Sequence, residues 1–106
     1  MNIPKVISDL IEAQNNSNSK AFSDLFSENA IVKDEGHIYE GKEAVKKWNE
    51  ATNEKYAPKI KPLKIENEES KTLVSMEVSG NFNGSPAVLK YYFELEEEMV
   101  IKLEIL

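Results

Sequence analysis

Residues 72–106 read TLVSMEVSGNFNGSPAVLKYYFELEEEMVIKLEIL, and this stretch decides the fold class. Three segments of it alternate apolar and polar side chains with the two-residue period of a β-strand: Thr72–Phe82, Ala87–Leu95 and Met99–Leu106. The turn signal Asn83-Gly84 separates the first two segments, and the acidic run 96–98 separates the last two. The stretch therefore predicts an antiparallel meander of three strands.

Towards the N-terminus the pattern changes to that of helices, with apolar side chains three and four residues apart. Three helices are predicted in this way, over residues 3–14, from about 19 to 27–29, and over 42–54. The second is the shortest, and it buries Phe22 and Phe26.

Two further strands are predicted outside the meander. One is Ala30–Asp34, followed by turns at Glu35-Gly36 and 39–41. The other is Ile60–Glu66, where Pro62 indicates an edge or irregular strand. Helices first and a meander last is the order of an α+β fold.

Composition sets limits on the function. A chain of 106 residues has room for one domain, 1–106. Its net charge of −6 arises from 19 acidic and 13 basic residues, all of them lysine, and such a surface repels phosphate backbones, so we predict no nucleic-acid partner. No signal peptide is evident, and no apolar stretch approaches the roughly 20 residues that span a bilayer, so no membrane partner and a cytoplasmic location are predicted.

The residue inventory also limits the chemistry. Cysteine is absent, so there is no thiolate nucleophile and no thiolate ligand for a metal. A single histidine, His37, and its neighbouring carboxylates lack a second nitrogen or sulfur ligand at recognisable spacing. We therefore predict no metal site and no cofactor.

Three stretches of the chain carry a resemblance to a known family: FSDLFSENA at 22–30, VKDEG at 32–36 and YEGKEAVKKW at 39–48. In their order and spacing they resemble the SnoaL-like branch of the nuclear transport factor 2-like superfamily. The resemblance implies a cystatin-like cone, in which a curved antiparallel sheet wraps around three N-terminal helices. It does not imply one activity, because this fold hosts isomerases, dehydratases, hydrolases, cyclases and non-catalytic binders.

Asp34 is the candidate catalytic residue. If Val32 faces inward, strand alternation turns Asp34 inward as well. A carboxylate at the mouth of an apolar cone is partly desolvated, which raises its pKa towards the range of a general base. In the ketosteroid isomerases that the chain resembles, the acid at this strand end is the base that shuttles the proton, and Asp34 matches its position. The alternative is a solvated turn residue beside Glu35-Gly36.

Other residues of the resembling enzymes are missing here. The tyrosine donor of the ketosteroid isomerases falls at about Leu10, which cannot donate, and their second donor falls near Lys90 or Tyr91. The familiar form of that chemistry is therefore not expected. Sites like limonene epoxide hydrolase need an arginine, and sites like scytalone dehydratase need two histidines, so both are excluded.

The cone predicts a concave and mostly apolar site for a small molecule. The candidate ligand-binding residues around it are Leu10, Phe26, His37, Trp48, Tyr56, Tyr91 and Phe93. Structural packing is the competing interpretation for the apolar and aromatic members of this set, and simple exposure in a loop is the competing interpretation for the histidine.

A homodimer is predicted from the sheet. The alternation predicts Val74, Met76 and Val78 on one face, with Phe82, and the apolar side chains of Ala87–Leu95 on the other. Helices suffice to cover only one apolar face, which indicates that the other meets a partner. The resemblance implies the same, since the superfamily commonly dimerises by stacking sheets.

Two functional hypotheses remain open at this point. In the first, the protein binds an apolar, ketone-type small molecule, with isomerase-, cyclase- or lyase-like general acid–base activity at Asp34. In the second, it is a non-catalytic dimeric binding or accessory module whose cone is filled by its own side chains. The sequence leaves open whether the protein is an enzyme.

Overall fold

The computed structural model describes residues 2–106 and contains three helices and six strands. The helices are α1 (Lys5–Asn15), α2 (Ser19–Ser23) and α3 (Lys42–Tyr56). The strands are β1 (Phe26–Asp34), β2 (His37–Glu40), β3 (Lys59–Glu68), β4 (Lys71–Ser79), β5 (Ala87–Glu96) and β6 (Met99–Ile105).

All six strands form one curved sheet in the order β2-β1-β6-β5-β4-β3. The predicted α+β cone is confirmed, with one correction to the sheet. β1 pairs with β6 in parallel, while the other neighbouring pairs are antiparallel. The sheet is mixed because the chain crosses from β2 at one edge to β3 at the other. The strands then return towards β1, and the last of them, β6, lies beside β1 in the same direction.

The boundary between α2 and β1 differs from the prediction. The second helix ends at Ser23, and Phe26 already belongs to the sheet, where it lies opposite Val100. The backbone N–H of Val100 donates to the carbonyl oxygen of Leu25 at 2.9 Å. Pairing with β6 therefore overrides the local helical spacing that extended the predicted helix to 27–29.

β2 was predicted only as turns, yet it forms a hairpin with β1. The connecting residues Glu35 and Gly36 have φ of +52° and +77°. Positive φ at both central positions is typical of the tight hairpin turn whose twist matches that of the strands. His37 consequently lies opposite Asp34, and Tyr39 lies opposite Val32.

The prediction of two separate apolar faces in the meander is wrong. Val74 lies opposite Tyr91, and Met76 lies opposite Leu89, so these side chains share one face. All of them pack in or against the single core between sheet and helices. The strand register across the loop between β4 and β5 decides which apolar side chains of the two strands share a face. The alternation within each strand does not reveal that register.

The helices pack on the concave face of that sheet. α1 buries Val6, Ile7 and Leu10 there, and α3 buries Val45 and Trp48. No helix within residues 2–106 is both long enough and apolar enough to cross a membrane.

Candidate functional site

A cavity of about 610 Å³ lies between α3 and the concave face of the sheet. Apolar and aromatic side chains from the helices and the sheet form much of its wall: Phe22, Tyr39, Trp48, Ile60, Leu89 and Ile105. The volume falls within the range of small-molecule sites in proteins, which are also concave and mostly apolar.

Asp34 faces this cavity. As the last residue of β1 it lies between His37 on β2 and Ile105 on β6, and its half-buried side chain lines the cavity. Its carboxylate accepts a hydrogen bond from Trp48 Nε1 at 3.2 Å. Burial raises the pKa of Asp34 above its ordinary value, and the Trp48 bond offsets part of this rise. The predicted inward orientation leads to a carboxylate that is harder to ionise than a solvated one.

The indole that contacts Asp34 is held by neighbouring rings. Trp48 lies on α3, where Ala44 precedes it by one turn on the same cavity-lining face. Its ring centroid is 5.8 Å from that of Tyr39 and 6.0 Å from that of Phe22. With its plane fixed between a strand and α2, the N–H has a defined direction towards the carboxylate.

Tyr91 supplies a second polar group on the same row of the sheet. Asp34 and Tyr91 both lie opposite Ile105, so one strand separates them, and their Cα atoms are about 10 Å apart at two strand spacings. Burial raises the pKa of Tyr91, and the charge of Asp34 adds to the rise. The hydroxyl borders the cavity and makes no hydrogen bond within residues 2–106, so it stays a neutral donor available to a ligand.

The inner end of the cavity is polar but internally satisfied. Gln14 and Asn49 line it, and Asn49 Nδ2 donates to Gln14 Oε1 at 2.8 Å. Asn53 accepts from Gln14 Nε2 at 2.8 Å and donates to Asn49 Oδ1 at 3.0 Å. Ser19 completes the group by donating to Asn49 Oδ1 at 2.7 Å. We call these four residues the amide cluster; it links α1, α2 and α3.

Charged and aromatic residues surround the mouth of the cavity. Glu35, Lys47 and Lys55 line it and are exposed to solvent. Tyr56 and Phe82 also line it, with rings in edge-to-face contact and centroids 6.0 Å apart.

Some of the predicted ligand-binding residues line the cavity and others do not. Trp48, Tyr56 and Tyr91 line it, together with the predicted catalytic Asp34. Leu10, Phe26 and Phe93 are fully buried in the core and do not contribute to the cavity wall, because the sheet and helices close over them completely. His37 is exposed; its ring is 6.4 Å from that of Tyr39, outside the cavity lining.

Several lining residues were not predicted. Gln14, Lys47 and Asn49 belong to predicted helices, but residues next to Trp48 in sequence point away from it on α3, so their spacing gave no signal. Leu89 and Ile105 were correctly placed in strands, but nothing local indicates that they border an unfilled space.

Within the part of the chain from residue 2 onwards, no group of three or more histidine, aspartate or glutamate side chains is arranged to hold a metal ion.

Comparisons with known proteins place this geometry in context. No protein-family model matches the sequence, and no curated protein matches it. A crystal structure of a candidate polyketide cyclase from Sinorhizobium meliloti is 31% identical and has a TM-score of 0.93, with 98% of this chain and 95% of that chain covered.

Two other solved structures are more distant. A ketosteroid isomerase-like fold from Catenulispora acidiphila, crystallised with trimethylamine, is 15% identical with a TM-score of 0.87, covering 99% of this chain and 86% of that one. An NTF2-like protein of unknown function from Cytophaga hutchinsonii is 21% identical with a TM-score of 0.78, covering 95% and 85%. These two show the fold alone.

The Sinorhizobium relative matches over nearly the whole length of both chains, and the distant structures share the cone. This chain belongs to the nuclear transport factor 2-like superfamily, of which the SnoaL-like proteins are a branch.

Proposed function

We propose that this protein binds an apolar carbonyl compound in the cavity and that Asp34 moves a proton at the carbon next to the carbonyl. The observation that carries the proposal is the environment of Asp34. It is a half-buried carboxylate that lines an apolar cavity, and its one side-chain hydrogen-bond partner within residues 2–106 is the neutral N–H of Trp48. A carboxylate of this kind is more basic than a solvated one, which suits proton abstraction.

In the proposed reaction, the proton that leaves the substrate stays on Asp34 until it is returned. An Asp34 oxygen takes the proton from the α-carbon, and the C–H electron pair forms a carbon–carbon double bond. The carbonyl electron pair moves to oxygen and gives an enolate. Asp34 then returns the proton to the same carbon or to another one, as in an isomerase. In a cyclase, the enolate carbon forms a bond to a second carbonyl carbon of the same molecule, the electron pair of that C=O moves to its oxygen, and this oxygen takes the proton back from Asp34.

The enolate oxygen needs a hydrogen-bond donor, and Tyr91 supports the proposal here. Its hydroxyl borders the cavity, and burial raises its pKa, so the group stays protonated near neutral pH. A neutral donor in an apolar cavity stabilises developing negative charge more strongly than a donor in water does. Tyr91 thereby takes the part of the donor that Leu10, a core residue, cannot supply.

The comparisons support the same class of reaction. The Sinorhizobium protein is described as a candidate polyketide cyclase, and cyclisation of polyketides proceeds through enolates. At 31% identity over nearly the whole chain, this relative favours carbonyl chemistry over the other activities that the fold hosts.

The alternative of an accessory module with a filled cone is less well supported. Leu10, Phe26 and Phe93 pack into the core and leave a cavity of about 610 Å³ beside them. An unfilled apolar space of this size, with a carboxylate and a hydroxyl facing it, favours a bound small molecule.

We also propose that the protein is a homodimer, now through the convex face of the sheet. Ile38 and Val88 lie on strand positions that alternate with concave-face residues, and each is 59% exposed. Exposed apolar side chains on a sheet surface favour an interface. The molecular mass of the protein in solution decides this point.

The test of the proposed function is proton exchange on a neutral ketone. In D₂O, the wild-type protein is expected to speed the loss of the α-CH₂ NMR signal of α-tetralone relative to buffer. The rate should rise with pH through the raised pKa of Asp34 and then level off, because only the ionised carboxylate accepts the proton.

The matched variants for this test are Asp34→Asn and Glu35→Gln. Both replace a carboxylate with an amide of the same shape at adjacent positions, but Glu35 is exposed at the mouth. Asp34→Asn should reduce exchange to the buffer rate, while Glu35→Gln should retain it. Equal exchange by wild type and Asp34→Asn would refute the role of Asp34.

A further inference from the structure

We infer that the ligand carries an anionic group, a carboxylate, which lies at the cavity mouth against Lys47 and near Lys55, while its apolar ketone end reaches Asp34. This inference rests on the proposed function and specifies its substrate class as an amphipathic keto acid.

The first support is the arrangement of the mouth. Lys47, Ala51 and Lys55 follow one another at intervals of four residues on α3, line the cavity and are exposed. The two lysines are therefore about 12 Å apart along one helix face. The small Ala51 between them leaves room for a planar anionic group to approach either ammonium.

The second support is the state of the two charges. Neither Lys47 nor Lys55 has a carboxylate oxygen within 4.0 Å in the region 2–106. Six further lysines share this state, but Lys47 and Lys55 are the lysines that line the cavity. The Lys55 ammonium lies over the Tyr56 ring, 5.1 Å from its centroid. The cavity of a protein with net charge −6 thus opens beside two cations without ion-pair partners among the described residues.

The third support is the orientation that the charged side chains of the cavity favour for an anionic ligand. Asp34 lies inside the cavity and Glu35 stands next to it at the hairpin turn, so an anionic group is repelled from that side. The pKa of Lys55 is raised mainly by Tyr56 and to a smaller extent by the negative charge of Glu35. The Lys55 ammonium therefore already interacts electrostatically with a carboxylate. The anionic group is therefore better placed near Lys47.

The experiment compares two ligands that differ in charge and by one methyl group, ω-benzoylpentanoate and its methyl ester. Each has an aryl ketone with an adjacent CH₂ group. Isothermal titration calorimetry at low salt should show the acid binding about threefold to fivefold more tightly than the ester, the gain expected for one exposed ion pair. This preference should shrink as salt is added.

Three lysine variants locate the anion. Lys47→Met keeps the length of the side chain but removes its charge, and should remove most of the preference for the acid over the ester. Lys55→Met should have a smaller effect, because the negative charge of Glu35 partly offsets the attraction of Lys55 for an anion. Lys46→Met is the control, since Lys46 is on the same helix but outside the cavity lining, and it should change nothing.

The outcomes separate the inference from the proposed function. Equal binding of acid and ester by wild type, or an unchanged preference in Lys47→Met, would overturn the inference. If the ester still exchanges its α-protons through Asp34, the proposed function stands. If neither compound binds, the inference fails, and proton exchange on α-tetralone decides the proposed function separately.

Discussion

Two polar regions border the same cavity and differ in how their hydrogen bonds are satisfied. In the amide cluster, Gln14, Asn49, Asn53 and Ser19 bond to one another at 2.7–3.1 Å. Elsewhere in the lining, the carboxylate of Asp34 has one side-chain hydrogen-bond partner, Trp48, and the Tyr91 hydroxyl has no partner among the described residues.

The difference distinguishes groups that hold the fold from groups that can act on a ligand. Buried polar groups stabilise a protein only when their hydrogen bonds are made, so a closed cluster has little capacity left for a ligand. A partly desolvated carboxylate and a free hydroxyl cost stability in the empty site, and that cost is typical of functional positions. Three variants test this contrast.

The largest effect is expected for Asn49→Ala, within the amide cluster. Asn49 is 1% exposed, and its removal leaves the Gln14 Oε1 acceptor and the Ser19 hydroxyl donor without their partners, although both residues keep a bond to Asn53. We expect the free energy of unfolding to fall by about 2–3 kcal/mol, the cost of leaving buried polar groups unpaired. Urea unfolding should show a lower midpoint with an unchanged slope.

The control for that variant is Asn67→Ala. Asn67 also accepts a hydrogen bond, from Thr72 at 3.2 Å, but in an exposed position. Its loss should change stability by no more than about 0.5 kcal/mol. Similar costs for the two variants would mean that burial does not distinguish the amide cluster from the surface.

The second largest effect is an increase in stability. Asp34→Asn should raise the free energy of unfolding at neutral pH. The folded state raises the pKa of Asp34 above its ordinary value of 3.8, so the folded protein holds this proton more tightly than the unfolded chain does. The resulting stabilisation is fully present below pH 3.8 and is lost as the pH rises through the raised pKa. The neutral amide avoids that loss.

The expected gain is up to about 1 kcal/mol at pH 7, limited because the carboxyl is only half-buried. Melting temperatures of wild type and variant should differ at pH 7 and converge in acid. Glu35→Gln, at an exposed position, should show a smaller gain, because the charge of Glu35 contributes less to the raised pKa of Asp34 than burial does. A destabilised Asp34→Asn would indicate that the charged carboxylate supports the fold.

The smallest effect concerns the indole. Trp48→Phe removes the N–H that donates to Asp34 at 3.2 Å, so the pKa of Asp34 should rise further. NMR titration of the Asp34 carboxyl carbon measures this pKa. Phe22→Leu alters another ring of the same wall that has no donor, and should leave that pKa unchanged. A pKa that moves equally in both variants would point to packing as its cause.

Much of the fold could be predicted from local patterns, and the errors occurred where distant segments meet. The alternation from Thr72 onwards correctly gave three strands, and Lys42–Tyr56 was found as a helix. Phe26 was assigned to a helix because its spacing from Phe22 is helical, but β6 recruits it into the sheet.

The candidate site was predictable in part for the same reason. Asp34 could be turned inward by counting residues from Val32, because strand alternation is a local rule. The partnership with Trp48 could not be foreseen, since it needs the packing of α3 on the sheet. Nor could the exclusion of Leu10 from the cavity, which depends on how completely neighbouring elements cover it.

The sequence by itself determined the order of the three helices and of five of the six strands, and a carboxylate at the end of β1, because periodicity and residue type are properties of neighbouring residues. Only the tertiary structure decided which apolar side chains fill the core and which leave a cavity. It also decided that Asp34 and Tyr91 lie on one row of the sheet, because strand register and helix docking join residues far apart in the chain.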